Sequence, residues 1–318
     1  MKPWIKRAIP IVFYVLLTVF LVVYLTTIDW ATIASIRFDW LWVVVATVVS
    51  LAYRYWMVLI WLVILRSLGA GRFADVPKLV LVYARSWLGR YIPGTAPWIL
   101  GKIFFASQQG LSTTKLAVSS FLEGGLQVLV LLVTGLVVLL IDLRTVTLID
   151  PWLIVLMVAA ALAGIVALWP RVFNAVARLA YRVIRKRELS DEDLPGWGTI
   201  GRGAGLYVIG ALLSGLSMFF IAKAVWPDLG WETLLFVVGA TNLAGAIGMI
   251  AVFAPSGIGV REAITVLLLG IVMPTEIALV AAIVLRLWSI LVDLLFLVLA
   301  QARVSLRRRP PEIPSQGD

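Results

Sequence analysis

Arg261 and Glu262 close the stretch Phe253-Ala254-Pro255-Ser256-Gly257-Ile258-Gly259-Val260-Arg261-Glu262. Arg90 and Lys102 bracket Tyr91-Ile92-Pro93-Gly94-Thr95-Ala96-Pro97-Trp98-Ile99-Leu100-Gly101. Both stretches contain an aromatic residue, then a Pro/Gly break, then a cation, and both lie in hydrophobic sequence. The chemistry this suits is anion capture. A helix that restarts after a break presents unpaired N–H groups and a partial positive charge. Thr95 and Ser256 are good caps at such starts, and Gly257 and Gly259 permit close backbone approach. Arg261 falls in an opening turn, where the helix dipole disfavours a cation, so an anion or Glu262 is expected nearby. Sequence neighbours diverge on a helix, so Glu262 is expected to pair with Arg90, Lys102 or Arg286. Phosphate is the obvious anion. The bland alternative is two ordinary inter-span loops, with Arg261–Glu262 a structural ion pair.

The remaining side chains restrict the chemistry further. There is no His and no Cys, which removes disulfides, the usual zinc sites and His-based acid–base catalysis. Glu123, Glu262 and Asp293 are the only plausible carboxylates for an intramembrane enzyme, and no Asp/Glu cluster suggests Mg²⁺. No Gly-rich loop ending in Lys-Ser/Thr is present for ATP. The expectation is a non-enzyme without cofactors and without a nucleic-acid partner.

The elements that must position these groups are membrane helices. The chain is 62% hydrophobic and 14% charged, with mean hydropathy +1.03, whereas a soluble domain is about a quarter charged. Several apolar runs reach the roughly 20 residues that cross a bilayer, and they are too long for barrel strands. Spans are expected at 9–28, 40–65, 115–141, 152–169, 204–225, 231–253 and 275–300, with short arms at 79–91, 95–106 and 260–272. Residues 171–187 place Arg171, Arg178, Arg182, Arg185, Lys186 and Arg187 opposite Val172, Val176, Leu179 and Val183, the pattern of a helix lying on an anionic surface. Residues 188–203 read as a loop. A basic tail over 304–318 reads as disordered.

Charges inside spans are costly and usually face a cavity or each other. Glu123 is either partly exposed near the surface or a counter-charge to Arg90 or Lys102. Arg286 and Asp293 share a face of the last span, Arg286 near mid-depth as a site candidate and Asp293 either a partner for Arg54 or a snorkelling group. Arg54 also has Tyr53, Tyr55, Trp56 and Trp61 for cation–π packing. Arg85 lines an entry or snorkels.

Cations gather at residues 2–7, 66–78, 171–187 and 303–309, and the alternate loops are poor in Lys and Arg. The positive-inside rule then puts both termini in the cytoplasm of a cell membrane. Halves 1–145 and 146–303 of one domain each read span, span, broken hairpin, span, starting from opposite faces. The fold class expected is therefore all-α integral membrane, with about seven to eight transmembrane helices in an inverted repeat and a Pro/Gly-broken, re-entrant hairpin in each half. The second hairpin's first arm is long enough to cross fully.

Pro255-Ser256-Gly257-Ile258-Gly259-Val260-Arg261-Glu262 resembles the Pro-Gly-Gly-x-Gly-x-Arg-Glu signature of the flippase-like membrane domain of lysylphosphatidylglycerol synthases, and Arg90-Tyr91-x-Pro93-Gly94 resembles that family's other marker. The resemblance spans roughly residues 1–303. Ser256 stands where Gly is usual, and Thr95-Ala96-Pro97-Trp98 replaces a Gly-rich run seen in some members. The chain stops at Asp318 with no aminoacyl-transfer domain after the membrane part, so aminoacylation of lipid is not expected. What the resemblance implies is movement of a lipid across the bilayer. An anionic phospholipid or lipid-linked phosphate is the expected cargo, held by Arg90, Pro93, Gly94, Lys102, Glu123, Pro255, Ser256, Gly257, Gly259, Arg261, Glu262 and Arg286. The alternative is a non-catalytic membrane partner of a glycosyltransferase or other lipid-modifying enzyme; an intramembrane lipid-phosphate enzyme ranks third.

Overall fold

The computed structural model describes residues 38–70, 73, 75–91, 96–185, 190, 194–251 and 257–307. The expected span 9–28 lies outside the described residues, as do Pro93, Gly94, Thr95, Pro255 and Ser256. The described elements are all helical. In chain order they are α1 (Trp40–Ser67), α2 (Val76–Trp87) continued by a 3₁₀ turn (Leu88–Tyr91), α3 (Ala96–Ser107), α4 (Thr113–Ile141), α5 (Leu143–Leu148), α6 (Pro151–Ala167), α7 (Pro170–Arg185), α8 (Trp197–Val225), a 3₁₀ turn (Trp231–Thr233) leading into α9 (Leu234–Ile250), α10 (Val260–Leu269) and α11 (Thr275–Arg307).

Five of these are long and apolar enough to cross a membrane: α1, α4, α8, the 231–250 segment and α11. A sixth candidate is α6 with the first part of α7, bent by 80° at the break between them. The chain is a multi-pass helical membrane protein. Aspartate side chains cap some of the helix starts. Asp39 accepts from the Leu41 N–H at 2.9 Å and Asp75 from the Lys78 N–H at 3.2 Å, satisfying donors a helix start leaves open.

Helices in lipid gain little from hydrophobic burial, so close backbone approach decides who packs with whom. A Cβ on Gly135 of α4 would meet the Leu243 backbone N of α9 at 2.6 Å, and one on Gly215 of α8 would meet Val238 at 2.7 Å. The resulting contacts have a regular form. α1 packs on α8. α4 packs on α9, and α11 on α2. α2 meets α3 as α9 meets α10, and α3 meets α4 as α10 meets α11. Exchanging α1 with α8, α2 with α9, α3 with α10 and α4 with α11 therefore leaves the contacts among these eight helices unchanged, while the packing of α6 on α4 has no counterpart at α11 among the described residues.

Two boundaries differ from expectation. The segment 188–203 is not loop to its end, because α8 begins at Trp197. One of its glycines faces a neighbouring helix: a Cβ on Gly203 would meet the Leu126 side chain of α4 at 2.8 Å. Residues 304–307, expected to belong to a disordered tail, are helical, because α11 runs to Arg307 with Ala300 and Val304 buried in the core. The basic amphipathic stretch forms α7. Phe173 and Ala177 are buried, and Arg171, Val172, Val176, Arg178, Leu179 and Arg182 are exposed. The Phe173 ring lies against Gly125 of α4.

Candidate functional site

Both broken hairpins contribute to one cavity. Arg90 sits in the 3₁₀ turn that extends α2, and Trp98 is in the first turn of α3. Arg261 and Glu262 are in the first turn of α10. These residues, with Arg54 of α1 and Arg286 of α11, line a space of about 210 Å³. Serine, threonine, tyrosine and glutamine side chains complete the wall, among them Tyr53, Gln127, Ser217 and Thr265.

Gly257 brings the second hairpin close. Its φ is +68°, a conformation L side chains rarely adopt, and a Cβ there would meet the Gly248 carbonyl oxygen at 2.8 Å. Gly259 also has positive φ and is the N-cap of α10, so the capping position falls three residues beyond Ser256, which was expected to fill it. The orphan donor at this start is satisfied by a side chain: the Gly259 N–H donates to Glu262 Oε2 at 2.7 Å. The other carboxylate oxygen faces Arg286 Nη1 at 3.6 Å. Of the three cations expected as partners for Glu262, Arg286 is the one that reaches it.

Asp293, only 1% exposed, organises the opposite wall. It accepts from Arg54 Nε at 2.6 Å, from Trp87 Nε1 at 3.2 Å and from the Tyr91 hydroxyl at 2.5 Å. Arg54 also donates to Ser289 at 3.0 Å. Arg90 reaches the same carboxylate only at 4.0 Å. Its guanidinium lies over the rings of Trp87 (4.7 Å) and Tyr91 (5.3 Å), and its Nε makes no hydrogen bond. Arg261 makes no hydrogen bond or ion pair with any described residue, while its side chain lines the cavity. Burying such a cation without a partner is expensive in a low-dielectric setting.

Lys102 and Glu123 lie elsewhere. They pair at 2.5 Å with side-chain exposures of 1% and 0%, and neither lines the cavity. The Tyr83 hydroxyl donates to Glu123 at 2.6 Å. The ammonium is framed by Trp98 at 4.2 Å, Tyr83 at 4.6 Å and Trp61 at 5.4 Å. Glu123 is thus the counter-charge of Lys102 rather than of Arg90, and the pair stands behind Trp98 as support for the first hairpin.

Of the residues expected at the site, the cavity gathers Arg90, Gly257, Arg261, Glu262 and Arg286. Gly259 supports it as a cap. Pro93, Gly94, Pro255 and Ser256 fall outside the described residues. Sequence reasoning missed the aromatic set on the first arm. Tyr83, Trp87 and Tyr91 recur every four residues, which is a helical stripe, and the upper two donate to Asp293 while the lowest donates to Glu123. That spacing was the available signal. Among the described residues no group of three acidic side chains converges to hold a metal ion. The arrangement is a cationic pocket lined by one carboxylate, Glu262, with Asp293 behind its wall, both engaged as acceptors.

A comparison with curated proteins finds no match. Residues 8–296, most of the chain, match the family model of the lysylphosphatidylglycerol synthase transmembrane region, and the chain belongs to that family.

Proposed function

We propose that the protein binds the headgroup of an anionic phospholipid or lipid-linked phosphate in this cavity and moves it across the cell membrane while the chains stay in lipid. The observation that carries the reading is Arg261: a guanidinium facing a cavity shared by both hairpins, with no anion of its own among the described residues. Arg90 supports it, held by ring faces rather than by a close carboxylate. Family membership supports a lipid-handling role. The exchange symmetry of the helix contacts supports an inverted repeat, in which one hairpin enters from each side and both termini are cytoplasmic. In this reading the protein changes no covalent bond, and the driving force comes from a gradient or from consumption of the delivered lipid.

The test is reconstitution of the full chain in vesicles carrying a fluorescent anionic lipid, followed by chemical quenching of the outer leaflet. The expected result is protein-dependent loss of protection from quenching, abolished by Arg261→Ala or Arg90→Ala while the variants stay folded. Equal lipid movement by parent and variants would overturn the assignment of the site. Movement of no lipid by the parent would favour a non-catalytic partner of a lipid-modifying enzyme, and a changed headgroup an enzyme.

A further inference from the structure

The charges around the cavity do not balance, and the size of the imbalance bears on the headgroup. Among the described residues four guanidiniums line it: Arg54, Arg90, Arg261 and Arg286. Two are matched at close range, Arg54 by Asp293 at 2.6 Å and Arg286 by Glu262 at 3.6 Å. Both carboxylates are already engaged, Asp293 by Trp87 and Tyr91 and Glu262 by the start of α10. That leaves the charges of Arg90 and Arg261. Arg90 is 4.0 Å from a carboxylate that Arg54 already neutralises, and Arg261 pairs with none of the described residues.

Resting on the translocation reading, we infer that the cavity selects a headgroup with a dianionic terminal phosphate, a phosphomonoester or a diphosphate, over a monoanionic phosphodiester. A phosphodiester brings one charge and leaves one of the two cations uncompensated at membrane depth. A phosphomonoester brings about −1.5 to −2 charges near neutral pH and three strong acceptor oxygens. Two guanidinium forks from different hairpins can each engage such a group in paired hydrogen bonds. An aminoacylated headgroup such as that of lysylphosphatidylglycerol carries amines and would add positive charge to a wall that already has a surplus.

The experiment compares acyl-labelled phosphatidic acid, phosphatidylglycerol and lysylphosphatidylglycerol in vesicles containing the full chain at pH 8, with inorganic pyrophosphate as a soluble probe in a thermal-stability assay. Phosphatidic acid is expected to move at least about tenfold faster than phosphatidylglycerol, the scale of one charge-assisted interaction. Arg261→Gln is expected to shrink that ratio by lowering the phosphatidic acid rate, and Arg261→Lys to restore part of it. Equal rates for the two lipids, or a preference for lysylphosphatidylglycerol, would overturn the dianion inference and leave translocation standing. Stabilisation by pyrophosphate with no lipid movement would overturn the lipid assignment and point to a soluble phosphate ligand. Movement of no lipid and no stabilisation by pyrophosphate would sink both.

Discussion

The two hairpins pair their charges in opposite polarity and to different ends. In the first, the short helix α3 carries the cation Lys102 and the following span α4 carries Glu123. In the second, the short helix α10 carries Glu262 and the following span α11 carries Arg286. The first pair is sealed, 2.5 Å apart and excluded from the cavity. The second is looser at 3.6 Å, with side-chain exposures of 16% and 22%. Matching helices thus carry a structural pair in one half and a cavity-facing pair in the other. The same contrast recurs one layer away. Where α11, α1 and α2 meet, Asp293 binds Arg54 and Trp87. Where their exchange partners α4, α8 and α9 meet, Leu131, Ala211 and Ala246 form an apolar cluster. The polar machinery is concentrated on one side of a frame with matched helix neighbours.

The comparison breaks most readily at the sealed pair. Glu123→Ala strands a buried ammonium and is expected to destabilise the protein by about 3–5 kcal/mol, read as a lowered midpoint of thermal unfolding in detergent. The double variant Lys102→Met, Glu123→Leu should recover most of that loss and keep lipid movement, because neither residue faces the cavity. Failure of the double variant to transport would place the pair in the pathway after all. Arg261→Ala should behave in the opposite sense. Lipid movement is lost, and stability changes by about 1 kcal/mol or less in either direction, since no described contact is removed. Gly257→Ala lies between them. The positive φ alone costs about 1–2 kcal/mol, and the clash with Gly248 displaces the start of α10, so transport should fall along with the unfolding midpoint. The smallest effect is expected at α7. Arg178→Gln should shift stability by about 0.5 kcal/mol or less and weaken association with anionic vesicles, leaving the transport rate near that of the parent.

Much of the site was legible in the chain. Proline and glycine beside a cation in apolar sequence mark a broken helix whichever way the protein folds, and the structure gathers Arg90, Gly257, Arg261, Glu262 and Arg286 around one space. Arg286 and Asp293 share a helix face by spacing alone, as does the basic face of α7. Partner choice was legible only in part: the pairing of Asp293 with Arg54, expected from the sequence, is observed. Glu262 had three candidate cations, Glu123 had two, and neither choice is fixed by distance along the sequence. Gly203 was misread for a related reason. Gly favours loops in an isolated chain, but beside another helix it leaves room for a neighbouring side chain, here that of Leu126.

Composition by itself determined the solvent and the secondary structure, because in lipid an unpaired peptide group is too costly for anything but a helix or a closed barrel. Residue order added that a cation lies beside each Pro/Gly break. Only the tertiary arrangement decided which charges cancel. Neutralisation depends on a few ångströms between side chains on different helices, and that distance is set by how α1, α2, α10 and α11 pack rather than by any one of them.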